Sequence, residues 1–173
     1  MKSILLSIAV ALALVQTTRA DDVTVKIKDV HLCCDSCVKG VAKALEGIDG
    51  VKAACDKTEK TVTLTASDTA TAQKAADALV KAGFFGEADS GIKMDATTGA
   101  KGEKVQTLKI EGVHMCCPKC VKGFNAAIKD VAGVTTNDCV KNAKVITVTG
   151  DFKDSDLLDA LQKAGFTGKV MAQ

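Results

Sequence analysis

A chain of 173 residues, 47% hydrophobic and 25% charged, has the length and make-up of one globular domain or two small ones. Trp and Tyr are absent and Phe occurs five times, which argues against aromatic-lined sites for substrates or nucleic acid. The formal charge of +2 comes from Lys2 and Arg19, so the chain after residue 20 is neutral and lacks the basic surface that a polyanion partner needs.

Met1 to Ala20 reads as a secretory signal peptide. Lys2 is its basic region, Ile4 to Val15 is an apolar run broken only by Ser7, and Thr18 and Ala20 are the small residues a signal peptidase inspects. The run is short for a bilayer span, which takes about 20 residues. The expected mature chain starts at Asp21, is secreted or periplasmic, and makes no contact with the membrane. Export leaves the state of its eight cysteines open, because thiols outside the cytoplasm can form disulfides.

Val23, Val25 and Ile27 alternate with Thr24, Lys26 and Lys28, the period of a half-buried strand. A Cys-rich loop follows. Val38, Val41, Leu45 and Ile48 then recur at helical spacing over 36–47, with Lys39 and Lys43 on the wet side, and Gly47 and Gly50 end the helix. Val51 to Cys55 is a second strand, Asp56 to Lys60 a polar turn, and Val62 and Leu64 mark the returning strand of a hairpin. Asp68 is placed to cap a second helix that buries Ala72, Ala75, Ala76 and Leu79. Ala82-Gly83-Phe84 ends it, and a short last strand falls near 85–88. The order is βαββαβ.

Residues 89–104 hold Ser90, Gly91, Gly99 and Gly102 and no apolar period, and read as a linker that couples two domains loosely. The order then repeats. Leu108 and Ile110 replace Val25 and Ile27. Val121, Phe124, Ile128 and Val131 replace Val38, Val41, Leu45 and Ile48. Ile146 and Val148 supply the hairpin, Leu157, Leu158 and Leu161 line the second helix, and Ala164-Gly165-Phe166 matches Ala82-Gly83-Phe84. The expected organisation is two ferredoxin-like α+β sandwiches in tandem, 21–88 and 105–173. Units of about 65 residues have thin cores, so extra staples would help them.

Six of the eight cysteines sit in two copies of one loop: His31-Leu32-Cys33-Cys34-Asp35-Ser36-Cys37 and, 83 residues later, His114-Met115-Cys116-Cys117-Pro118-Lys119-Cys120. Each loop joins the first strand to the first helix of its repeat. With Cys37 or Cys120 in the first helical turn, both sulfurs of a Cys-x-x-Cys pair can point to one place at the helix amino end. Free N–H groups and the helix dipole there favour thiolate. Paired thiolates on an exposed loop suit a soft ion. Cu(I) fits best, and Zn(II), the second candidate, needs further ligands.

The position of this pair, after the first strand of a βαββαβ unit and present twice, resembles the heavy-metal-associated domain of copper chaperones and of the amino-terminal modules of copper-pumping ATPases. That family carries Gly-Met-x-Cys-x-x-Cys in this loop, and the second copy matches from Met115 onward, with Leu32 in place of Met in the first. The resemblance implies metal ligation by Cys34 with Cys37 and by Cys117 with Cys120, and a metal-carrying protein as a candidate partner. Gly83-Phe84 and Gly165-Phe166 match the family's Gly-Phe after the second helix, in a loop that covers the site.

The chain departs from the family at His31 and His114, which replace the Gly. Cys33 and Cys116 add a third thiol to each loop, and Cys55 and Cys139 a fourth on the second strand. These six are candidates for added ligands or, for the thiols, disulfide partners. Met115 reads as a core residue holding the loop. The leading expectation is an exported, non-catalytic carrier or buffer of Cu(I) or a similar ion, with one ion per domain. The alternatives are a thiol–disulfide oxidoreductase, suggested by Cys117-Pro118-Lys119-Cys120, and a disulfide-stapled interaction module. No hydrolytic constellation is present, with no third His and no Ser elbow.

Overall fold

A computed structural model describes residues 22–172. The signal segment lies outside the described residues. The amino-terminal half runs β1 (Val23–Lys28), α1 (Asp35–Ala44), β2 (Val51–Asp56), β3 (Thr61–Ala66), α2 (Thr69–Lys81) and β4 (Glu87–Ala88). The carboxy-terminal half repeats it as β5 (Lys104–Glu111), α3 (Pro118–Ile128), β6 (Val134–Asn137), β7 (Val145–Lys153), α4 (Asp154–Lys163) and β8 (Lys169–Val170). Each half forms a four-stranded antiparallel sheet, ordered β2-β3-β1-β4 and β6-β7-β5-β8. With two helices packed on the sheet, each half is a ferredoxin-like sandwich.

The periodicities account for the cores. Val25, Ile27, Val62 and Leu64 point from the first sheet into Val41, Leu45, Ala75, Ala76 and Leu79 of its helices. Leu108, Ile110, Ile146 and Val148 meet Phe124, Ile128, Leu157 and Leu161 in the second. Small Ala residues on α2 let that helix lie close to the sheet, where α4 uses Leu. Asp68 caps α2 by accepting a hydrogen bond from the Thr71 N–H at 2.7 Å.

The segment between the halves is not loose. Asp89 and the Lys26 N–H bond at 2.8 Å, Ile92 is buried, and Gln73 exchanges two hydrogen bonds with the Lys93 backbone. Farther on, the Val170 N–H donates to the Thr98 carbonyl at 2.7 Å. The buried Asp154 carboxylate accepts from the N–H groups of Lys101, Glu103 and Ser155. These bonds use backbone groups, so the strap leaves no apolar period in the sequence. Replacing Asp154 by Ala strands three donors and removes an acid from the first turn of α4. The expected loss is about 1–3 kcal/mol, seen as a lower urea midpoint with an unchanged count of titratable thiols.

Candidate metal centre

Both Cys-rich loops leave their first strand through a left-handed turn. The equivalent residues Asp29 and Gly112 have φ of 59° and 78°, a conformation that Asp tolerates better than most residues. Leu32 and Met115 are buried beneath the loops and hold them to their sandwiches. Cys34 and Cys117 are then the amino caps of α1 and α3, with Cys37 and Cys120 in the first turn. Neither cap is closed by a side chain, and the N–H groups of Cys37 and Cys120 turn back to the carbonyls of Cys34 and Cys117. Pro118 fits the first position of α3, where no N–H is needed.

The two loops do not form separate sites. They face each other across a pseudo-two-fold interface, and most contacts that set the interface occur twice. Phe84 and Phe166 pair as an antiparallel bridge. His31 stacks on Phe166 of the other half at 4.0 Å between ring centroids, and His114 on Phe84 at 4.3 Å. Each imidazole also lies flat against a helix glycine of the other half. A Cβ on Gly40 would stand 2.7 Å from Cε1 of His114, and one on Gly123 would stand 2.7 Å from Cε1 of His31. The Phe85 N–H donates to the Gly165 carbonyl and the Thr167 N–H to that of Gly83, while the His31 N–H also donates to Gly165.

This docking brings six thiols together. Cys33 lies 3.6 Å from Cys37, 3.5 Å from Cys117 and 3.6 Å from Cys120. Cys116 lies 4.0 Å from Cys34, 3.6 Å from Cys37 and 3.6 Å from Cys120. The two Cys-x-x-Cys pairs are 3.9 and 3.7 Å apart internally, and Cys37 reaches Cys120 at 4.0 Å. These are non-bonded separations, and all eight cysteines are free thiols. His114 falls within 4.8 Å of Cys37, Cys116 and Cys120, and His31 within 4.8 Å of Cys33 and Cys120. The Nε2 atoms of both histidines are buried without a hydrogen-bond partner.

The electrostatics mark the cluster as a proton-sharing unit. The hydrogen bond from Cys120, with further help from His114 and Cys33 against burial, holds Cys37 well below the usual thiol range. Cys120, bonded to Cys37 and buried, is pushed far up. The two are equivalent positions, so this is one proton shared by a pair. Burial works against the thiolate at Cys117, yet the Cys120 N–H and the thiols of Cys33, Cys34 and Cys120 bring it to about 7. Burial raises Cys116 to about 12 and raises Cys33 as well. Burial also lowers His31, with Lys60 and His114 acting the same way and Cys37 opposing, which favours the neutral imidazole a metal requires.

The donor set fits a soft metal ion. Two thiolates bonded to one ion at about 2.3 Å stand about 3.8 Å apart in tetrahedral geometry and about 4.0 Å in trigonal geometry. The observed 3.5–4.0 Å matches both. Linear coordination needs about 4.6 Å, longer than either Cys-x-x-Cys pair. An open groove of about 670 Å³, lined by Gly40, Lys81, His114, Cys116 and Lys144 among others, leads to one flank of the cluster.

Cys33 and Cys116 therefore lie among the four cysteines expected to bind metal, with His31 and His114 beside them. Against the expectation of one independent site per domain, three of the four donor groups draw on both loops and one, Cys33-Cys34-Cys37, lies within a single loop. Cys55 and Cys139 are corrected too. Among the described residues, no donor group close enough to share an ion includes either. Cys139 lies beyond the end of β6, buried with its thiol on the Met115 thioether at 3.4 Å. Cys55 sits half-buried on β2, opposite Val62. Burial raises both thiols, with Asp138 adding to the effect at Cys139. The residues that sequence reasoning missed are the glycines. Gly40 and Gly123 recur at equivalent helix positions, where glycine weakens a helix and so needs a reason.

No family model matches this chain, and the search of curated proteins gives no match. Solved structures similar to it include a copper-binding domain from HMA7, a P-type ATPase, at 24% identity and a TM-score of 0.36, covering 39% of this chain and 96% of that one. The N-terminal soluble domains of Bacillus subtilis CopA align at 17% identity and a TM-score of 0.33, covering 88% and 95%. The first two RRM domains of yeast poly(U)-binding protein Pub1 align at 10% and 0.28, covering 87% and 100%.

Proposed function

We propose that this chain is an exported, non-catalytic carrier or buffer of a soft metal ion, Cu(I) in preference to Zn(II), clamped between its two halves. The observation that carries this reading is the convergence of six thiols and two imidazoles, each with a buried Nε2 that has no hydrogen-bond partner, on one interdomain site. Thiolate-rich donors select Cu(I) and Zn(II) over harder ions. Cys37, Cys116 and Cys120 with His114 also form a four-donor set of the kind a structural zinc takes, which makes Zn(II) the competitor to be tested. The Lys2, Ile4–Val15 and Thr18–Ala20 pattern supports export. Among the described residues, no helix is long and apolar enough to cross a membrane. Loading displaces the shared protons, so affinity falls as pH falls. Disulfide formation between any close pair would remove donors, so the competent form is the reduced one.

The test is elemental analysis of mature protein prepared anaerobically, followed by competition with a Cu(I) chelator and, separately, a Zn(II) chelator. Copper retained against the first while zinc is lost to the second is the expected result. No retained metal on fully reduced protein, or zinc held more firmly than copper, overturns the reading. Mass spectrometry of the exported protein checks its location, with Asp21 the expected first residue.

A further inference from the structure

The geometry points to a polynuclear centre: four Cu(I) ions bridged by all six thiolates. This inference rests on the soft-metal reading above and adds the nuclearity. Distances of 3.5–4.0 Å, with Cys33–Cys34 and Cys116–Cys117 inside 4.8 Å, join each sulfur to every other but one. The three excepted pairs, Cys33 with Cys116, Cys34 with Cys120, and Cys37 with Cys117, share no residue. Six points related in this way are the corners of an octahedron. An octahedron has no four corners that all touch, so the sulfurs alone supply no tetrahedral pocket. Its faces are triangles.

Every face has sides within 4.8 Å, and the largest set of faces that meet only at corners, so that ions on them can be bound together, is four. Cys33-Cys34-Cys37 is one, Cys34-Cys116-Cys117 a second, and Cys37-Cys116-Cys120 a third, with His114 beside it. The fourth is Cys33-Cys117-Cys120, with sides of 3.5, 3.6 and 3.7 Å and His31 close to two of its sulfurs. Each cysteine belongs to two of these faces, so each thiolate bridges two ions. An ion at the centre of such a face stands about 2.1 Å from three sulfurs, and slight expansion gives the ordinary metal–thiolate length of about 2.3 Å. Neighbouring ions then lie about 2.5–2.7 Å apart. Four Cu(I) against six thiolates leave a charge of two minus. Each S–H that takes up copper releases its proton to water, and copper stays Cu(I), so no electron donor or acceptor is needed. Cys33 and Cys116, the thiols beyond the Cys-x-x-Cys pairs, are what close the octahedron: every one of the four faces contains one of them.

Anaerobic titration of the reduced mature protein with Cu(I), read by native mass spectrometry and copper X-ray absorption, tests this. The expected result is a dominant four-copper species with little population between zero and four, three sulfurs per copper and a copper–copper scatterer. Cys33→Ser with Cys116→Ser leaves both Cys-x-x-Cys pairs intact but opens all four faces. It should lose the four-copper species and the copper–copper signal while keeping its circular dichroism. Saturation of the wild type at one or two ions without a copper–copper scatterer overturns the cluster and leaves the soft-metal function standing. Four ions retained by the double variant also overturns it. No copper uptake by reduced wild type overturns the function itself.

Discussion

Changing Cys34 and Cys37 together to Ser is expected to remove far more than half of the metal bound per chain. Were the two loops independent, the carboxy-terminal half would keep its ion and the stoichiometry would fall by half. The thiols instead interleave. Cys34 reaches Cys116 and Cys117, and Cys37 reaches Cys116 and Cys120, across the interface. Removing both leaves Cys33-Cys117-Cys120 as the one complete triangle of the four. Bound copper should therefore fall to about a quarter of the wild-type value. The mirror variant, Cys117→Ser with Cys120→Ser, leaves Cys34 and Cys37 to complete their triangle with Cys33 and should behave alike. Copper per chain by elemental analysis after gel filtration is the measurement. Retention of half the metal in both variants would show that each domain binds alone.

Gly165→Ala is expected to be the most damaging single change outside the cluster. Gly165 has φ of +81°, a left-handed conformation that costs Ala about 1–2 kcal/mol. A Cβ there would also run into the Asp29 carbonyl and the His31 N–H of the other half. The backbone cannot yield locally, because the Gly165 carbonyl accepts from both His31 and Phe85. Relief comes from moving the halves apart, which unstacks His31 from Phe166 and withdraws Cys33 from Cys117. Two effects should appear together. Stability falls by at least about 2 kcal/mol, and the cluster thiols react faster with an electrophile while metal retention drops. Gly83→Ala, at φ +85° and against Gly112 and His114, should reproduce both. An unchanged denaturation midpoint with unchanged thiol reactivity would mean that the interface does not govern the site.

Sequence by itself determined each half. The period-two alternation of Val23–Lys28, the helical spacing from Val38 to Ile48 and their repeat after residue 104 set strand, helix and core, because burial of one face is a local property that repeats along the chain. It also placed Cys34 and Cys37, and Cys117 and Cys120, at helix amino ends, and Met115 beneath its loop. It failed at the fourth thiol of each half, which it set on the second strand as an added donor. Cys139 lies beyond β6 and packs on Met115, and Cys55 on β2 lies outside the donor cluster. Only the tertiary structure decided that the two loops share one centre. The contacts responsible join positions far apart in the chain: Gly40 with His114, Gly123 with His31, Gly165 with Asp29, and Phe84 with Phe166. Each depends on the fit of two surfaces and on backbone groups, neither of which imposes a period on the residues. The same holds for Cys33 and Cys116. In sequence each is an extra thiol beside a Cys-x-x-Cys pair; in space each spans the interface, because the docked helices turn the pair of loops face to face.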